Sequence, residues 1–162
     1  MPQHKPARPF WVWKAAPKAH PEFKSYFNHP THLIENERER ELYELALKDD
    51  RQVMREIAHC IDPRIHPKVV PLWGFPAFYR IQIGIARRVR LVFTLIQVSG
   101  KDPLRPEVKQ IDFYRSTDII RNNKENYLYI LGLAMRDQVY TDSYKQALRI
   151  RWEQFIKGFK DD

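Results

Sequence analysis

The segment FYRIQIGIARRVRLVFTLIQV, residues 78–98, decides the fold class of this chain. In its first six residues, large apolar side chains alternate with Arg80 and Gln82, which is the period-two pattern of a β-strand with two different faces. A glycine then marks a turn, and residues 88–98 are rich in β-branched residues and predict a second, longer strand. Because the link between them is short, we expect the two strands to pair in antiparallel fashion.

Two further stretches extend this predicted sheet. Residues 107–113 follow a polar loop and predict a third strand, and consecutive strands with short links form an antiparallel meander. Residues 10–14 predict a short strand near the N-terminus, in which Trp11 and Trp13 lie on one face.

Residues 36–61 carry the clearest helical pattern of the chain. Apolar residues recur there at steps of three, four and seven, and charged residues occupy the opposite face. The pair Asp49 and Asp50 in the middle predicts two helices joined by a tight turn, with Asp50 capping the second helix. The proline-rich residues 62–77 then predict a loop that leads into the sheet.

The C-terminal part predicts two more helices. Residues 124–137 are apolar nearly all round and predict a buried helix, whereas residues 142–159 carry one apolar stripe and predict an amphipathic helix capped by Thr141. The predicted fold class is therefore α+β, a helical hairpin packed on a small antiparallel sheet with two added C-terminal helices. We divide the chain into an extended basic arm (residues 1–9), an α+β core (residues 10–121) and a C-terminal helical extension packed on it (residues 122–162).

The composition points to an acidic partner in a reducing compartment. The chain has a net charge of +8, and residues 63–121 alone hold eleven basic and four acidic residues. Such an excess favours nucleic acid or an acidic protein as partner. A single cysteine excludes an intramolecular disulfide, and the longest apolar run is too short to cross a membrane, so we expect a cytoplasmic protein that does not bind membranes.

Three short stretches resemble the RelE/ParE family of bacterial toxins. Residues 62–84, DPRIHPKVVPLWGFPAFYRIQIG, resemble the family's "pL.G....yRiriG" entry into the meander, and residues 87–93, RRVRLVF, resemble the next "yRvvY" strand. Residues 108–121, VKQIDFYRSTDIIR, resemble the last strand and its "hR.diY" ending. The predicted order of elements also matches the family's layout, and the resemblance covers roughly residues 52–121.

The resemblance implies a toxin of a type II toxin–antitoxin system, a ribosome-dependent messenger-RNA endoribonuclease that an acidic antitoxin neutralises. Such cleavage needs no metal or other cofactor, because the 2′-hydroxyl attacks the adjacent phosphate and arginines stabilise the developing charge. The predicted partners are therefore RNA, the ribosome and an acidic antitoxin protein.

The predicted site combines the strand pattern with this resemblance. We predict that the catalytic residues are Arg80, Arg90, Arg115 and Asp118, and that the RNA-binding residues are Lys68, Arg87, Arg88, Lys109 and Tyr114. His66 is a further candidate acid or base. Alternatively, the arginines are exposed strand residues that pair with acidic residues across the sheet.

Other patterns have competing explanations. His29 and His32 form an HxxH pair and His59 is adjacent to Cys60, but these spacings are not typical of a zinc site, and we expect no metal. A set of aromatic residues lies among the basic ones and could stack on RNA bases, although core packing is the competing role: Trp11, Trp13, Tyr79, Phe113 and Tyr114.

Two other functions remain open. Many family ribonucleases have a catalytic tyrosine where this chain has Ile119 and Ile120 after Arg115. This difference and the extra C-terminal residues favour a non-catalytic RNA-binding protein, or a subunit of the ribosome or another large assembly, with the same fold. A ParE-like inhibitor of DNA gyrase is the third alternative.

Overall fold

The computed structural model describes residues 9–99, 107–110 and 125–160, and its centre is a six-stranded mixed sheet. The strands are β1 (Val12–Ala15), β2 (Val70–Pro71), β3 (Phe78–Ile83), β4 (Val89–Ser99), β5 (Glu107–Gln110) and β6 (Glu125–Met135). The helices are α1 (His20–Phe27), α2 (Glu37–Ala58), α3 (Arg136–Val139) and α4 (Asp142–Lys160), and Thr31–Leu33, Pro63–Ile65 and Ile85–Arg87 form short 3-10 turns. The predicted arm falls mostly outside these residues.

The order of strands is β1-β6-β4-β3-β2, and β5 pairs with the far end of β4. The predicted strands at residues 10–14, 78–83 and 88–98 are confirmed within two residues at each end. β3 and β5 both pair antiparallel with β4, at its residues 89–94 and 96–99 respectively. The sheet is nevertheless not purely antiparallel as predicted, because β1 runs parallel to β6.

The prediction of a buried helix at residues 124–137 is wrong. These residues contain β6, which pairs along ten positions with β4 and along four with β1. Leu128 and Leu131 are both fully buried, since an inner strand covered on both faces is apolar on both faces. The sheet therefore contains residues from both sides of the boundary that we placed at residue 121.

The predicted helical hairpin at residues 36–61 is also wrong, because α2 is one continuous helix of 22 residues. Asp50 does not cap a second helix. Its buried carboxylate accepts a 2.5 Å hydrogen bond from the Tyr26 hydroxyl and a 3.1 Å bond from the Gly84 amide, so tertiary partners satisfy it inside the helix. The cap of α2 is Asn36, which accepts a bond from the Glu39 amide at 3.0 Å.

α2 and α4 cover opposite faces of the sheet. On the α2 side, the indole of Trp13 donates to the Met54 carbonyl at 2.8 Å and packs edge-on against Phe93. On the α4 side, Trp152 packs edge-on against Phe78. The amphipathic helix predicted at residues 142–159 is confirmed, and so is its cap, since Thr141 accepts a bond from the Tyr144 amide at 3.3 Å. Three layers result, and the sheet lies in the middle.

Candidate functional site

The two central arginines of the prediction lie on the same face of the sheet. Arg80 on β3 pairs in register with Val92, and Arg90 on β4 pairs with Gln82 two positions further along. Residues paired across antiparallel strands share a face, so both arginines extend from the face that carries α4. The sheet thus places two cations on neighbouring strands, one diagonal step apart.

Arg90 is buried rather than exposed, with only 5% of its surface accessible. Its Nη1 donates to the Arg87 carbonyl at 2.5 Å, which directs the guanidinium toward the β3–β4 turn. Its Nε is buried and has no hydrogen-bond partner among the described residues, and the same holds for Nη1 of Arg80. Orphaned N–H donors of this kind are rare in a folded core and require an explanation.

The surroundings of Arg90 are cationic. Burial lowers the pKa of the Arg90 guanidinium, and the positive charges of Arg80 and Arg136 lower it further, while a hydrogen bond with the Tyr140 hydroxyl opposes the shift. In the described parts of the chain, the ion pairs of Asp and Glu involve other cations, namely Arg64, His66 and Arg151. We call Arg80, Arg90, Arg136 and Tyr140 the arginine cluster.

Two clefts next to the arginine cluster bring in further predicted residues. Lys68 and Arg87 line a cleft of about 250 Å³ together with Val70 and Gln82, the residues that pair with Arg80 and Arg90. Both cations also line an adjoining cleft of about 360 Å³ between α2 and the β3–β4 turn. Of the predicted residues, Lys68 and Arg87 thus line the two clefts, and Arg80 and Arg90 lie on the strands beside them.

The β3–β4 turn that carries Arg87 has an unusual backbone. Gly84 has φ +83°, and the non-glycine residues Ala86 and Arg87 both have φ +55°. A left-handed non-glycine residue costs about 1–3 kcal/mol and persists only where its surroundings impose it. Here the Gly84 amide is bonded to the buried carboxylate of Asp50, so α2 holds the start of the turn in place.

The remaining predicted residues have different outcomes. Arg88 is exposed at the end of the turn, and its carbonyl accepts a bond from the Arg136 amide at 2.7 Å. Lys109 lies in β5, where its backbone pairs with that of Gln97 in β4. Three predicted residues, Tyr114, Arg115 and Asp118, lie outside the described residues, together with Phe113 of the aromatic set.

His66 does not face the arginine cluster with a free nitrogen. Its Nε2 lies 3.2 Å from a carboxylate oxygen of Glu56, and its Nδ1 accepts a bond from the Lys68 amide at 3.1 Å. Both ring nitrogens are therefore engaged in holding the loop before β2. Among the predicted stacking aromatics, Trp11 and Tyr79 are buried in the core.

Sequence reasoning missed Arg136 and Tyr140. Arg136 follows β6 directly and Tyr140 follows α3, and the assignment of residues 124–137 to a buried helix hid the fact that this part of the chain meets the start of β4. Within the described ranges, no three histidine, cysteine, aspartate or glutamate side chains are placed to hold a metal ion. In the same ranges, no helix combines the length and the apolarity that crossing a membrane requires.

Comparison of the chain with protein-family models, with curated proteins and with solved structures gives no match.

Proposed function

We propose that the arginine cluster binds the phosphate backbone of RNA, and that the protein is a RelE-like endoribonuclease acting on messenger RNA at the ribosome. The observation that carries the proposal is the buried Arg90, whose Nε has no partner among the described residues and which lies beside a second cation, Arg80. A buried charge without a counter-ion is costly, and a phosphate held by the exposed Arg87 and Arg136 next to Arg90 would offset that cost.

An oxyanion such as phosphate fits this arrangement better than a small halide. A guanidinium presents N–H donors in a planar fork that matches two oxygens of a phosphate. With Lys68 and Arg87 lining the neighbouring clefts, the surface offers successive cationic contacts to a polyanion. The charge excess of residues 63–121 agrees with a polymeric rather than a single phosphate.

Cleavage would use the same arginines for the transition state. The 2′-oxygen forms a bond to phosphorus and its proton passes to a base, while the bond from phosphorus to the 5′-oxygen breaks and the departing 5′-oxygen takes up a proton from an acid. Negative charge grows on the non-bridging oxygens, where arginine donors already in place are most effective. The roles of Arg115 and Asp118 in this step stay predictions.

A second candidate is a non-catalytic RNA-binding protein. The environment of His66 favours this candidate. Both ring nitrogens of this candidate acid or base are bonded, one to Glu56 and one to the Lys68 amide, so neither is available to transfer a proton to or from a substrate. Such a protein would bind RNA through the same arginine cluster without cutting it.

The two candidates are separated by primer extension on a defined messenger translated by purified ribosomes. We expect ribosome-dependent cuts with the wild-type chain and a loss of about 100- to 1,000-fold in cleavage rate with Arg90→Met, the effect of removing one preorganised donor. Arg90→Lys should lose part of the rate, since it retains the charge without the fork.

Lys18→Gln is the matched control, because it removes one exposed positive charge from the turn between β1 and α1. Intact messenger together with RNA binding that requires Arg90 would select the non-catalytic candidate. Wild-type cleavage by Arg90→Met would contradict the placement of the site.

A further inference from the structure

Trp73 is the most exposed large apolar residue found in the described structure, with 80% of its surface accessible. Tryptophan is usually highly buried, so this exposure is unusual. The loop that carries it is well held: Leu72 N donates to Phe78 O at 2.9 Å, and Phe75 N donates to Leu72 O at 3.1 Å. Leu72 and Phe75, on either side of Trp73 and Gly74, are both buried, and Gly74 turns the chain with φ +80°. The indole is therefore presented on a fixed support.

Cations from α4 lie beside this loop. The Lys145 ammonium is 5.3 Å from the centre of the Trp73 ring, and the Arg149 guanidinium is 5.0 Å from the centre of the Phe75 ring. Lys145 covers one face of the indole, and because four-fifths of the side chain stays accessible, the opposite face is available to a ligand. An aromatic face flanked by positive charge is the composition of a platform for single-stranded nucleic acid.

The loop lies at the Phe78 end of β3, beyond Arg80 and away from the β3–β4 turn, because Leu72 N donates to Phe78 O. It follows β2 directly, and Val70 of β2 pairs with Arg80. Trp73 is three residues beyond Val70, which is roughly 10 Å of extended chain. The contact with Lys145 places the indole on the α4 side, which is also the face of Arg80 and Arg90. Tyr140, which is bonded to Arg90, and Lys145, which contacts Trp73, are only five residues apart around the start of α4, so an RNA strand held by the cluster can extend along this end of α4 to Trp73.

We infer that Trp73 is a stacking platform for a base of single-stranded RNA, adjacent to the phosphate held by the arginine cluster. The inference rests on the proposed RNA binding and adds a base contact to it. Stacking tolerates any base, because every base has a π-face, so Trp73 would add affinity without strong sequence preference. The nearby Lys145 and Arg149 would contact the backbone on either side.

The test measures fluorescence anisotropy of two short labelled oligomers of equal charge, an oligouridylate and an abasic ribose-phosphate chain. Wild type should bind the oligouridylate more tightly than the abasic chain. Trp73→Ala should weaken oligouridylate binding about 5- to 150-fold, the range of one lost stacking contact, and leave abasic binding unchanged. Trp73→Phe should retain most of the affinity.

Each outcome is decisive. Equal affinity of wild type and Trp73→Ala for oligouridylate would overturn the platform, while loss of binding with Arg90→Met in the same assay would leave the proposed RNA binding intact. No binding of either oligomer by wild type would overturn both. Thermal unfolding of Trp73→Ala should match wild type, since the residue is exposed, and this rules out misfolding as the cause of a loss.

Discussion

Replacing Asp50 with alanine should destabilise the protein severely, although Asp50 is a charged residue in the middle of a helix and not an apolar core residue. The carboxylate is 8% exposed and accepts bonds from the Tyr26 hydroxyl and the Gly84 amide, so it joins α1, α2 and the β3–β4 turn. Removing it leaves two donors without an acceptor. Each orphaned donor costs about 1–3 kcal/mol, so Asp50→Ala should lose about 2–6 kcal/mol of unfolding free energy. That is a large share of the roughly 5–15 kcal/mol typical of a domain.

The control is Asp50→Asn, which retains an oxygen that can accept both bonds but removes the charge. Burial raises the pKa of the Asp50 carboxyl, against the opposing effect of its two hydrogen bonds. A raised folded-state pKa means that the protonated form is favoured in the fold. Its stabilising contribution is complete below the unfolded pKa near 3.9 and is lost as pH rises through the folded pKa. The wild type should therefore gain stability relative to Asp50→Asn as the pH falls from neutral toward about 4.

The assay is urea unfolding at several pH values, monitored by circular dichroism. Wild type, Asp50→Ala, Tyr26→Phe and the variant with both substitutions form a double-mutant cycle. The Tyr26–Asp50 coupling should be about 1.5–3 kcal/mol, as for a hydrogen bond to a charged group. Unchanged stability in Asp50→Ala, or a coupling near zero, would refute the account. An opposite pH trend would show that the hydrogen bonds, and not burial, dominate this carboxyl.

Two further predictions concern the packing of α4. Gly132→Ala should cost about 1–3 kcal/mol by overpacking, because a Cβ there would collide with the Tyr144 hydroxyl and lie 3.0 Å from a methyl carbon of Leu148. Urea unfolding would measure the loss, and an unchanged midpoint would show that the helix shifts at no cost. Thr141→Ala should lose about 0.5–2 kcal/mol through the missing cap, and Thr141→Ser should restore most of it in the same measurement. A Thr141→Ala variant as stable as wild type would mean that the capping bond contributes nothing.

Local periodicity was sufficient for the elements that have one buried and one partly open side. The alternation around Arg80 and Gln82 identified β3, and the apolar stripe of residues 142–159 with its capping threonine identified α4. Trp11 and Trp13 likewise marked β1. In these segments, the repeat of the side chains distinguishes the period of a strand from that of a helix.

Local patterns failed where both sides of an element are buried or where a distant partner decides. The run around Leu128 and Leu131 is apolar in every direction, so its periodicity fits a buried helix and an inner strand equally well. Only the pairing of β6 with β4 on one side and β1 on the other makes it a strand. Likewise, Asp50 suggested a break in α2 because the two groups that donate hydrogen bonds to its carboxylate, on Tyr26 and Gly84, are far away in sequence.

The sequence by itself determined that the chain is a basic α+β protein and which cations belong to the β3–β4 region. Tertiary structure alone decided that Arg90 is buried without a described carboxylate, that Arg136 and Tyr140 join it, and that Trp73 is exposed while Tyr79 is not. The physical reason is that burial and charge pairing depend on which strands and helices meet. Those contacts join residues separated by tens of positions, and a local window contains only one partner of each.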